Sequence, residues 1–206
     1  MSIADMINEV MESQIKSLIE VKEQIDPSYE QAVEKINACK GKVIFLGVGK
    51  SGHIGKKLAA TFASTGTPAF FVHATEAVHG DLGMIEKEDV VIAISNSGET
   101  KEVLHTLPSI QLIGASLISI TGNKQSTLAQ ASEISLEVRV KEEADQHNLA
   151  PTNSSTATLV IGDALAVTLS RMKGFGKKDF GLFHPGGSLG KQLFKEGLIE
   201  DNNREG

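Results

Sequence analysis

Several short segments of this sequence are continuously apolar and lack the apolar–polar alternation of a strand with one exposed face. They restrict the possible folds more than any other feature. Residues 43–46 read Val-Ile-Phe-Leu, and residues 90–94 read Val-Val-Ile-Ala-Ile. A strand with one solvated face alternates apolar and polar side chains, whereas a strand covered on both faces is apolar throughout. These runs therefore predict central strands of a parallel sheet with helices packed on both sides.

Short apolar segments alternate along the chain with longer mixed segments, which is the order of strands and helices in βαβ units. Strands are predicted at Lys42–Leu46, Ala69–Val72, Val90–Ser95, Ser116–Thr121 and Glu133–Val138. Helices are predicted at Ser51–Ser64, Thr75–Leu82, Thr100–Ile113, Ser126–Ala131 and Thr152–Met172. The predicted fold class is α/β, a doubly wound, five-stranded parallel sheet flanked by helices. In such sheets ligands bind outside the carboxyl ends of the strands.

Two further helices are predicted before the sheet. Apolar residues recur near the helical period from Ile3 to Ile19, which predicts an amphipathic first helix that ends before Asp26. A second helix is predicted over Ser28–Cys39. The apolar face of the first helix needs a partner surface, either the core of its own chain or another subunit.

The chain is predicted to form a single domain. Its 206 residues suffice to bury about 70% of the surface of the unfolded chain. No internal repeat, low-complexity tract or long linker divides it. The domain is expected to comprise N-terminal helices (1–40), a sheet core with C-terminal helices (41–195) and a polar tail (200–206).

Charge and cysteine content exclude several classes of protein. The formal net charge of -6 argues against a nucleic-acid partner, which would need a basic surface. Cys39 is the only cysteine, so neither an intrachain disulfide nor a multi-cysteine metal site can form. Acidic residues Asp5, Glu9 and Glu12 are unlike the start of a signal peptide, and no apolar run reaches the roughly eighteen residues of a membrane span. We therefore expect a cytoplasmic protein with no membrane partner.

The turn after the first predicted strand, residues 47–53, reads Gly-Val-Gly-Lys-Ser-Gly-His. A nucleotide-binding P-loop would need a glycine five positions before Gly49, where this chain has Ile44. A dinucleotide site would need an acidic residue after the second strand, where residues 71–73 read Phe-Val-His. What remains is a glycine turn at which an anion can approach a helix N-terminus, with Lys50 adding a positive charge. The alternative is a tight strand-to-helix turn whose Lys50 is solvated.

The segment after the third predicted strand reads Ser95-Asn96-Ser97-Gly98-Glu99-Thr100. Three hydroxyls and a glycine at a helix N-terminus can surround a phosphate with neutral donors. Glu99 does not fit a pure phosphate site, because a carboxylate repels a phosphate dianion, and its predicted role is proton transfer. Helix capping is the alternative, and it accounts for Ser97 or Thr100 but not for all three hydroxyls.

Two histidines lie in distinctive segments. His79 lies within Glu-Ala-Val-His-Gly-Asp-Leu-Gly, and His184 precedes Pro-Gly-Gly, where a constrained loop can fix the direction of the imidazole. A lone histidine is more often structural than catalytic, and His184 is the stronger candidate of the two. No His-x-x-x-His or His-Glu-x-x-His spacing occurs, so no metal is required, although His79 and His184 could bind zinc adventitiously if they met.

Together and in this order, these segments resemble the sugar isomerase (SIS) domain family and, within it, the arabinose 5-phosphate isomerases. The similarity runs from about Gly41 to about Phe194. The segments that carry it are Lys50-Ser51-Gly52-His53 and residues 77–83, 95–99, 149–152 and 184–187.

The resemblance implies that the chain interconverts D-arabinose 5-phosphate and D-ribulose 5-phosphate through an enediolate, without a cofactor. This step leads to the eight-carbon acid Kdo of bacterial surface polysaccharides. Lys50 would neutralise charge on the phosphate or the enediolate, and Glu99 and His184 would shuttle the proton. His79 would assist ring opening or orient a hydroxyl. The implied substrate-binding residues are Gly49, Ser51, Ser95, Asn96, Ser97 and Thr100.

Two other functions remain open at this stage. An isomerase of a heptose or hexose phosphate would share the phosphate-binding residues, and SIS-like domains also serve as sugar-phosphate sensors attached to DNA-binding domains. Many relatives continue into paired CBS domains, whereas this sequence stops at Gly206, so regulation through such domains is not expected. We expect a homo-oligomer, in particular a tetramer, in which His184 reaches the site of a neighbouring subunit.

Overall fold

Two N-terminal helices precede a regular alternation of strands and helices. The computed structural model describes residues 1–184 and 195–197. The strands are β1 (Val43–Gly47), β2 (Ala69–His73), β3 (Val90–Ile94), β4 (Ser116–Thr121) and β5 (Ile134–Glu137). The α-helices are α1 (Ile3–Lys22), α2 (Pro27–Asn37), α3 (Gly49–Ser64), α4 (Ala74–Ala77), α5 (Lys101–Leu104), α6 (Leu107–Ile113), α7 (Thr127–Ala131), α8 (Asn153–Met172) and α9 (Lys177–Phe183).

All five strands run parallel in one sheet, in the order β2-β1-β3-β4-β5. Each predicted strand is confirmed to within one residue at either end, and so is the doubly wound sheet. The chain passes from β1 to one side of the sheet and then continues on the other side from β3. In this strand order the ligand crevice lies at the carboxyl ends of β1 and β3, where the direction of winding reverses.

Helices cover both faces of the sheet, so β1 and β3 contribute to two cores. Every residue of both strands is buried. Val43 and Phe45 face one core, whereas Ile44 and Leu46 face the other. This double burial is the physical reason why neither sequence run alternates with polar residues.

Two predicted helices are interrupted. The segment predicted as Thr75–Leu82 forms the short helix α4 and then a 3₁₀ helix over Asp81–Met84, because Gly80 breaks the helix with a φ of 130°. The segment predicted as Thr100–Ile113 divides into α5 and α6. The cause is Pro108, which has no amide hydrogen and whose ring would clash with a helical carbonyl four residues earlier. Helix α9 was not predicted.

Helices α3 and α8 pack against each other on one face of the sheet. At Gly162 of α8, an added Cβ would lie 2.3 Å from a methyl carbon of Leu58 in α3. Leu58 and Leu165 are both buried in the core beneath this crossing. Glycine at position 162 therefore permits the close approach of the two helices.

Helix α1 leaves most of its apolar face uncovered within the described chain. Of its residues only Ser17 and Val21 are buried. Seven apolar side chains are between 42% and 75% exposed: Ile3, Met6, Ile7, Val10, Met11, Ile15 and Ile19. Among the described residues no helix combines the length and the apolar character that crossing a membrane requires.

Candidate functional site

A cavity of about 150 Å³ lies at the carboxyl ends of β1 and β3, between the N-terminal ends of α3 and α8. Three of the predicted site residues line it, namely Lys50, Ser51 and Asn96. A larger cleft of about 410 Å³ lies between α2 and α8, but its lining is largely apolar, and its charged residues, Glu30 and Glu34, are both acidic. Of these two clefts, the smaller one is therefore the one suited to an anion.

The turn from β1 into α3 presents an uncapped helix N-terminus to this cavity. Gly49 opens the helix with a φ of 58°, and an added Cβ there would meet no atom within 4 Å. Val48 precedes it and provides no side-chain cap, so no side chain satisfies the first amides of α3. Lys50, in the first turn, is exposed and forms no salt bridge within residues 1–184 and 195–197. The positive end of the helix dipole repels the Lys50 cation, which destabilises the helix slightly. A bound anion would interact favourably with both positive charges.

The loop after β3 is held together by its own hydroxyls. Ser95 is buried, and its Oγ lies 2.7 Å from Oγ1 of Thr100 and accepts the N–H of Gly98 at 3.1 Å. Ser97 is exposed, and its Oγ accepts the N–H of Glu99 at 3.1 Å. Thr100 precedes α5 but its hydroxyl makes no capping bond, so helix capping does not explain it. Ser95 and Thr100 thus brace the loop, while Ser97 faces outward.

The same loop is hydrogen-bonded to the turn between β4 and α7 and to the first residues of α7. The carbonyl of Asn96 accepts the N–H of Gly122 at 2.9 Å, and the carbonyl of Gly98 accepts the N–H of Leu128 at 3.1 Å. Gly98 has a φ of 69°, and an added Cβ would lie 2.0 Å from Oγ of Ser126. Glycine is therefore required at position 98 both for its backbone conformation and for the close approach of α7.

The carboxylate of Glu99 also joins the loop to α7. Its Oε1 accepts the N–H of Thr127, the first residue of α7, at 2.7 Å. The backbone hydrogen bond from Thr127, supported by its hydroxyl, lowers the pKa of Glu99 below the ordinary value for a glutamate. Glu99 is consequently held in its ionised form.

The two candidate histidines lie at separate positions. His79 is exposed in the turn after α4. His184 directly follows α9, its Nδ1 lies 2.9 Å from the carbonyl of Phe180, and its ring stacks on the Phe180 ring with centroids 3.8 Å apart. Because a carbonyl can only accept, Nδ1 of His184 carries a proton, and in the neutral ring Nε2 is left as a base. The Pro-Gly-Gly segment that follows lies outside the described residues.

Residues 36–168 of this chain match the family model of the SIS domain. The chain belongs to the SIS domain family. It is 54% identical to arabinose 5-phosphate isomerase KdsD of Shigella flexneri, over 90% of this chain and 56% of that relative. It is 51% identical to KdsD of Francisella tularensis, over 100% of this chain and 64% of that relative. The chain therefore spans little more than half the length of the curated relatives it matches.

A solved structure of the SIS family supports the same assignment. This chain aligns with an E. coli CFT073 protein, solved in complex with arabinose 5-phosphate, at 53% sequence identity and a TM-score of 0.87. The alignment covers 90% of this chain and 100% of that one. The five-stranded sheet described above is therefore the SIS fold.

The cavity of this SIS domain has a third wall that sequence reasoning missed. Ser154, Ser155 and Thr158, all in the first turns of α8, line it. Glu143 holds this end of α8, since its carboxylate accepts the N–H groups of Thr152 at 2.8 Å and Ser154 at 3.1 Å, and also a short hydrogen bond from the Ser154 hydroxyl. Burial acts to raise the pKa of Glu143, but the hydrogen bonds from Ser154 and Thr152 outweigh it and lower the pKa. The hydroxyl-rich start of α8, directly after Pro-Thr, was the signal available in the sequence.

Metal ligands do not cluster in the described part of this SIS domain. Within residues 1–184 and 195–197 no group of three or more His, Cys, Asp or Glu side chains is arranged to hold a metal ion. No described contact joins His79 to His184, so the predicted adventitious zinc site stays a prediction.

Proposed function

We propose that this chain interconverts D-arabinose 5-phosphate and D-ribulose 5-phosphate, the step that supplies the precursor of Kdo. The observation that carries the proposal is the cavity at which the uncapped N-terminus of α3, the Lys50 cation and the loop after β3 meet. Amides, hydroxyls and one cation are the donors that a phosphate monoester needs. The substrate is proposed from the arabinose 5-phosphate isomerases that this chain resembles at 51% to 54% identity.

The phosphate would be bound where donors are not already used inside the protein. The first amides of α3 beginning at Gly49, the Ser51 hydroxyl and the outward-facing Ser97 hydroxyl are such donors, and the Asn96 side chain lines the same cavity. Lys50 would balance the phosphate charge or the enediolate charge that develops during the reaction. Ser95 and Thr100 would contribute by bracing the loop.

The chemical step removes a proton from C2 of the open-chain aldose and returns one to C1, so the oxidation at one carbon matches the reduction at the next. No external oxidant or reductant is needed. His184 is the proposed proton carrier, because its Nδ1 contact to Phe180 leaves Nε2 unprotonated in the neutral ring. His79 would assist ring opening. Glu99 lies in the loop after β3, where its carboxylate accepts the N–H of Thr127.

The reaction can be tested in deuterated water. The protein is incubated with arabinose 5-phosphate and, separately, with heptose and hexose phosphates, and carbon-bound deuterium is followed by NMR. We expect incorporation with arabinose 5-phosphate. Incorporation only with another sugar would replace the substrate, and binding of all these sugars without incorporation would indicate a sensor rather than an enzyme.

We also propose that the chain is a cytoplasmic homo-oligomer, a tetramer, with its active site shared between subunits. The support is the apolar face of α1, of which seven side chains are 42% to 75% exposed. Association would remove this surface from water at roughly 25 cal/mol per Å². Sharing of the site is supported by His184, which directly follows the C-terminal helix α9, beyond the completed sheet.

Subunit mixing tests the shared site. Lys50→Ala and His184→Ala proteins are each shown to be inactive, then dissociated, mixed and reassembled. If the site is shared, some interfaces combine an intact Lys50 from one subunit with an intact His184 from another, and activity returns. Continued inactivity in verified mixed oligomers would show that both residues act within one subunit.

A further inference from the structure

We propose that Glu99 is a positioning residue that fixes the phosphate-binding loop on helix α7, and that it takes no part in moving the substrate proton. The inference rests on the proposed function, because it assigns a role within the same site. The sequence predicted that Glu99 transfers a proton. In the role proposed here, Glu99 acts only by accepting a hydrogen bond.

The first line of support is a pair of adjacent contacts. Glu99 Oε1 accepts the N–H of Thr127 at 2.7 Å, and the neighbouring carbonyl of Gly98 accepts the N–H of Leu128 at 3.1 Å. These donors are the first two residues of α7, whose amides have no partner inside their own helix. Consecutive residues of the loop therefore satisfy consecutive amides of the helix.

The second line of support is the route from Glu99 to the ligand. The N–H of Glu99 donates to the Ser97 Oγ at 3.1 Å, and Ser97 is the exposed hydroxyl of the loop. Anchoring the side chain of Glu99 on α7 therefore fixes the amide that orients Ser97. The effect on the substrate passes through the loop and needs no contact between the carboxylate and the sugar.

The third line of support is the chemistry of the carboxylate itself. A hydrogen bond from a helix N-terminus favours the ionised form of an acid. The depressed pKa of Glu99 agrees with this geometry. A carboxylate with a low pKa is a weak base near neutral pH, since general-base catalysis is most efficient when the pKa is close to the operating pH.

The contact can be removed from either side. Glu99→Gln keeps an oxygen that accepts the Thr127 N–H but loses the charge, whereas Glu99→Ala loses both. Thr127→Pro removes the donor, and proline is well tolerated at the first position of a helix. Ser126, with φ −69° and ψ 159°, already has the extended conformation that a residue before proline requires. Thr127→Ala keeps the N–H and is the matched control for loss of the side chain.

Steady-state kinetics with arabinose 5-phosphate separate the two roles. For Glu99→Ala and Thr127→Pro we expect KM to rise about tenfold while kcat changes less than about threefold, because a lost capping contact weakens a loop that binds ground state and transition state alike. Glu99→Gln and Thr127→Ala should stay within about threefold of wild type in both constants. The double variant Glu99→Ala, Thr127→Pro should be no worse than either single change.

Two results would overturn the inference. A fall of about a hundredfold or more in kcat for Glu99→Gln would make Glu99 the proton carrier. An unchanged KM in both Glu99→Ala and Thr127→Pro would show that the contact does not position the loop. Melting temperatures identify any variant that fails to fold, and the pair Glu99→Ala and Glu99→Gln decides the question without the proline variant.

A binding measurement separates this inference from the proposed reaction. Inorganic phosphate is titrated into each protein by calorimetry, which needs no turnover. We expect Glu99→Ala and Thr127→Pro to bind phosphate about tenfold more weakly than wild type, with Glu99→Gln unchanged. If the wild type does not isomerise arabinose 5-phosphate but this order of affinities holds, the proposed function fails and the positioning role stands. Equal affinity in all proteins would refute the positioning role.

Discussion

The two loops at the carboxyl edge of the sheet are built in opposite ways. The turn after β1 leaves its helix uncapped and its Lys50 without a salt bridge in the described structure. The loop after β3 uses its polar groups internally, with Ser95 bonded to Thr100 and Glu99 bonded to α7. The turn after β1 therefore leaves its donors to a ligand, while the loop after β3 is braced internally and presents the Ser97 hydroxyl outward.

Because of this difference, residues of the two loops should respond differently to substitution. A change in the open turn removes an interaction with the ligand and leaves the fold intact. A change in the braced loop alters the geometry of the site and the stability of the protein together. Measurements of activity and stability on the same variants can therefore test the contrast directly.

The largest expected effect is on activity, from Lys50→Ala. We expect kcat/KM to fall by about 10²- to 10³-fold, because a positioned cation stabilises charge that develops in the transition state. The free energy of unfolding should rise by a few tenths of a kcal/mol, because the substitution relieves a cation at a helix N-terminus. Steady-state kinetics and urea unfolding measure the two quantities, and Lys56→Ala, exposed on the same helix, is the matched control. Destabilisation by Lys50→Ala would contradict the contrast.

A second effect is on stability, from the positive-φ glycine in each of the two loops, Gly98 and Gly49. Gly98→Ala should cost about 2–4 kcal/mol and weaken substrate binding, because its Cβ would overlap Ser126 in addition to the backbone strain. Gly49→Ala should cost only about 1 kcal/mol, because its φ of 58° is strained but no atom lies within 4 Å of the new Cβ. Urea unfolding of the two variants checks the order. Equal costs would remove the distinction between an open turn and a braced loop.

The smallest effect concerns the turn that supports the braced loop. Lys124 in this turn pairs with Asp26, the N-cap of α2, and its hydrogen bond lowers the pKa of Asp26 to about 2. A depressed pKa adds stability above the unfolded value near 4, and this stability is lost as pH falls towards 2. Since about a third of each side chain is exposed, we expect a contribution of about 1 kcal/mol.

Asp26→Asn isolates this contribution, because asparagine keeps the helix cap and loses the charge. Urea unfolding at pH 7 should show wild type about 1 kcal/mol more stable than Asp26→Asn, and the difference should shrink as pH falls from about 4 through the folded pKa of about 2. A difference as large at pH 2 as at pH 7 would indicate that the effect does not come from ionisation of Asp26.

The sheet could be predicted from the sequence because a strand that is buried on both faces is apolar at every position. The runs at 43–46 and 90–94 contain no polar residue, and each became a central strand. The helices were less accurate where one residue decided the outcome. Pro108 divided a predicted helix into two, and Gly80 ended another, although periodicity continued across both positions.

The site could be predicted only in part. Lys50, Ser51 and Asn96 follow strands directly, so the parallel topology brings them to one cavity. Ser154 and Thr158 come from a helix that begins after the sheet is complete. Its hydroxyl-rich start is visible in the sequence, but the position of α8 at this edge of the sheet depends on long-range packing. The contact of Glu99 with α7 was equally hidden, since it joins residues 28 positions apart.

The glycine at the crossing of α3 and α8 also bears on the distance between the two helix N-termini at the cavity. From Gly162 to Ser154 there are eight residues of helix, about 12 Å at 1.5 Å per residue, and Leu58 lies a similar distance from Ser51 along α3. Both helices begin at the cavity and contact each other at this crossing. A larger side chain at position 162 would overlap the buried Leu58 side chain, and we expect the two helices to move apart so that the gap between their N-termini widens, although no residue lining the cavity has changed.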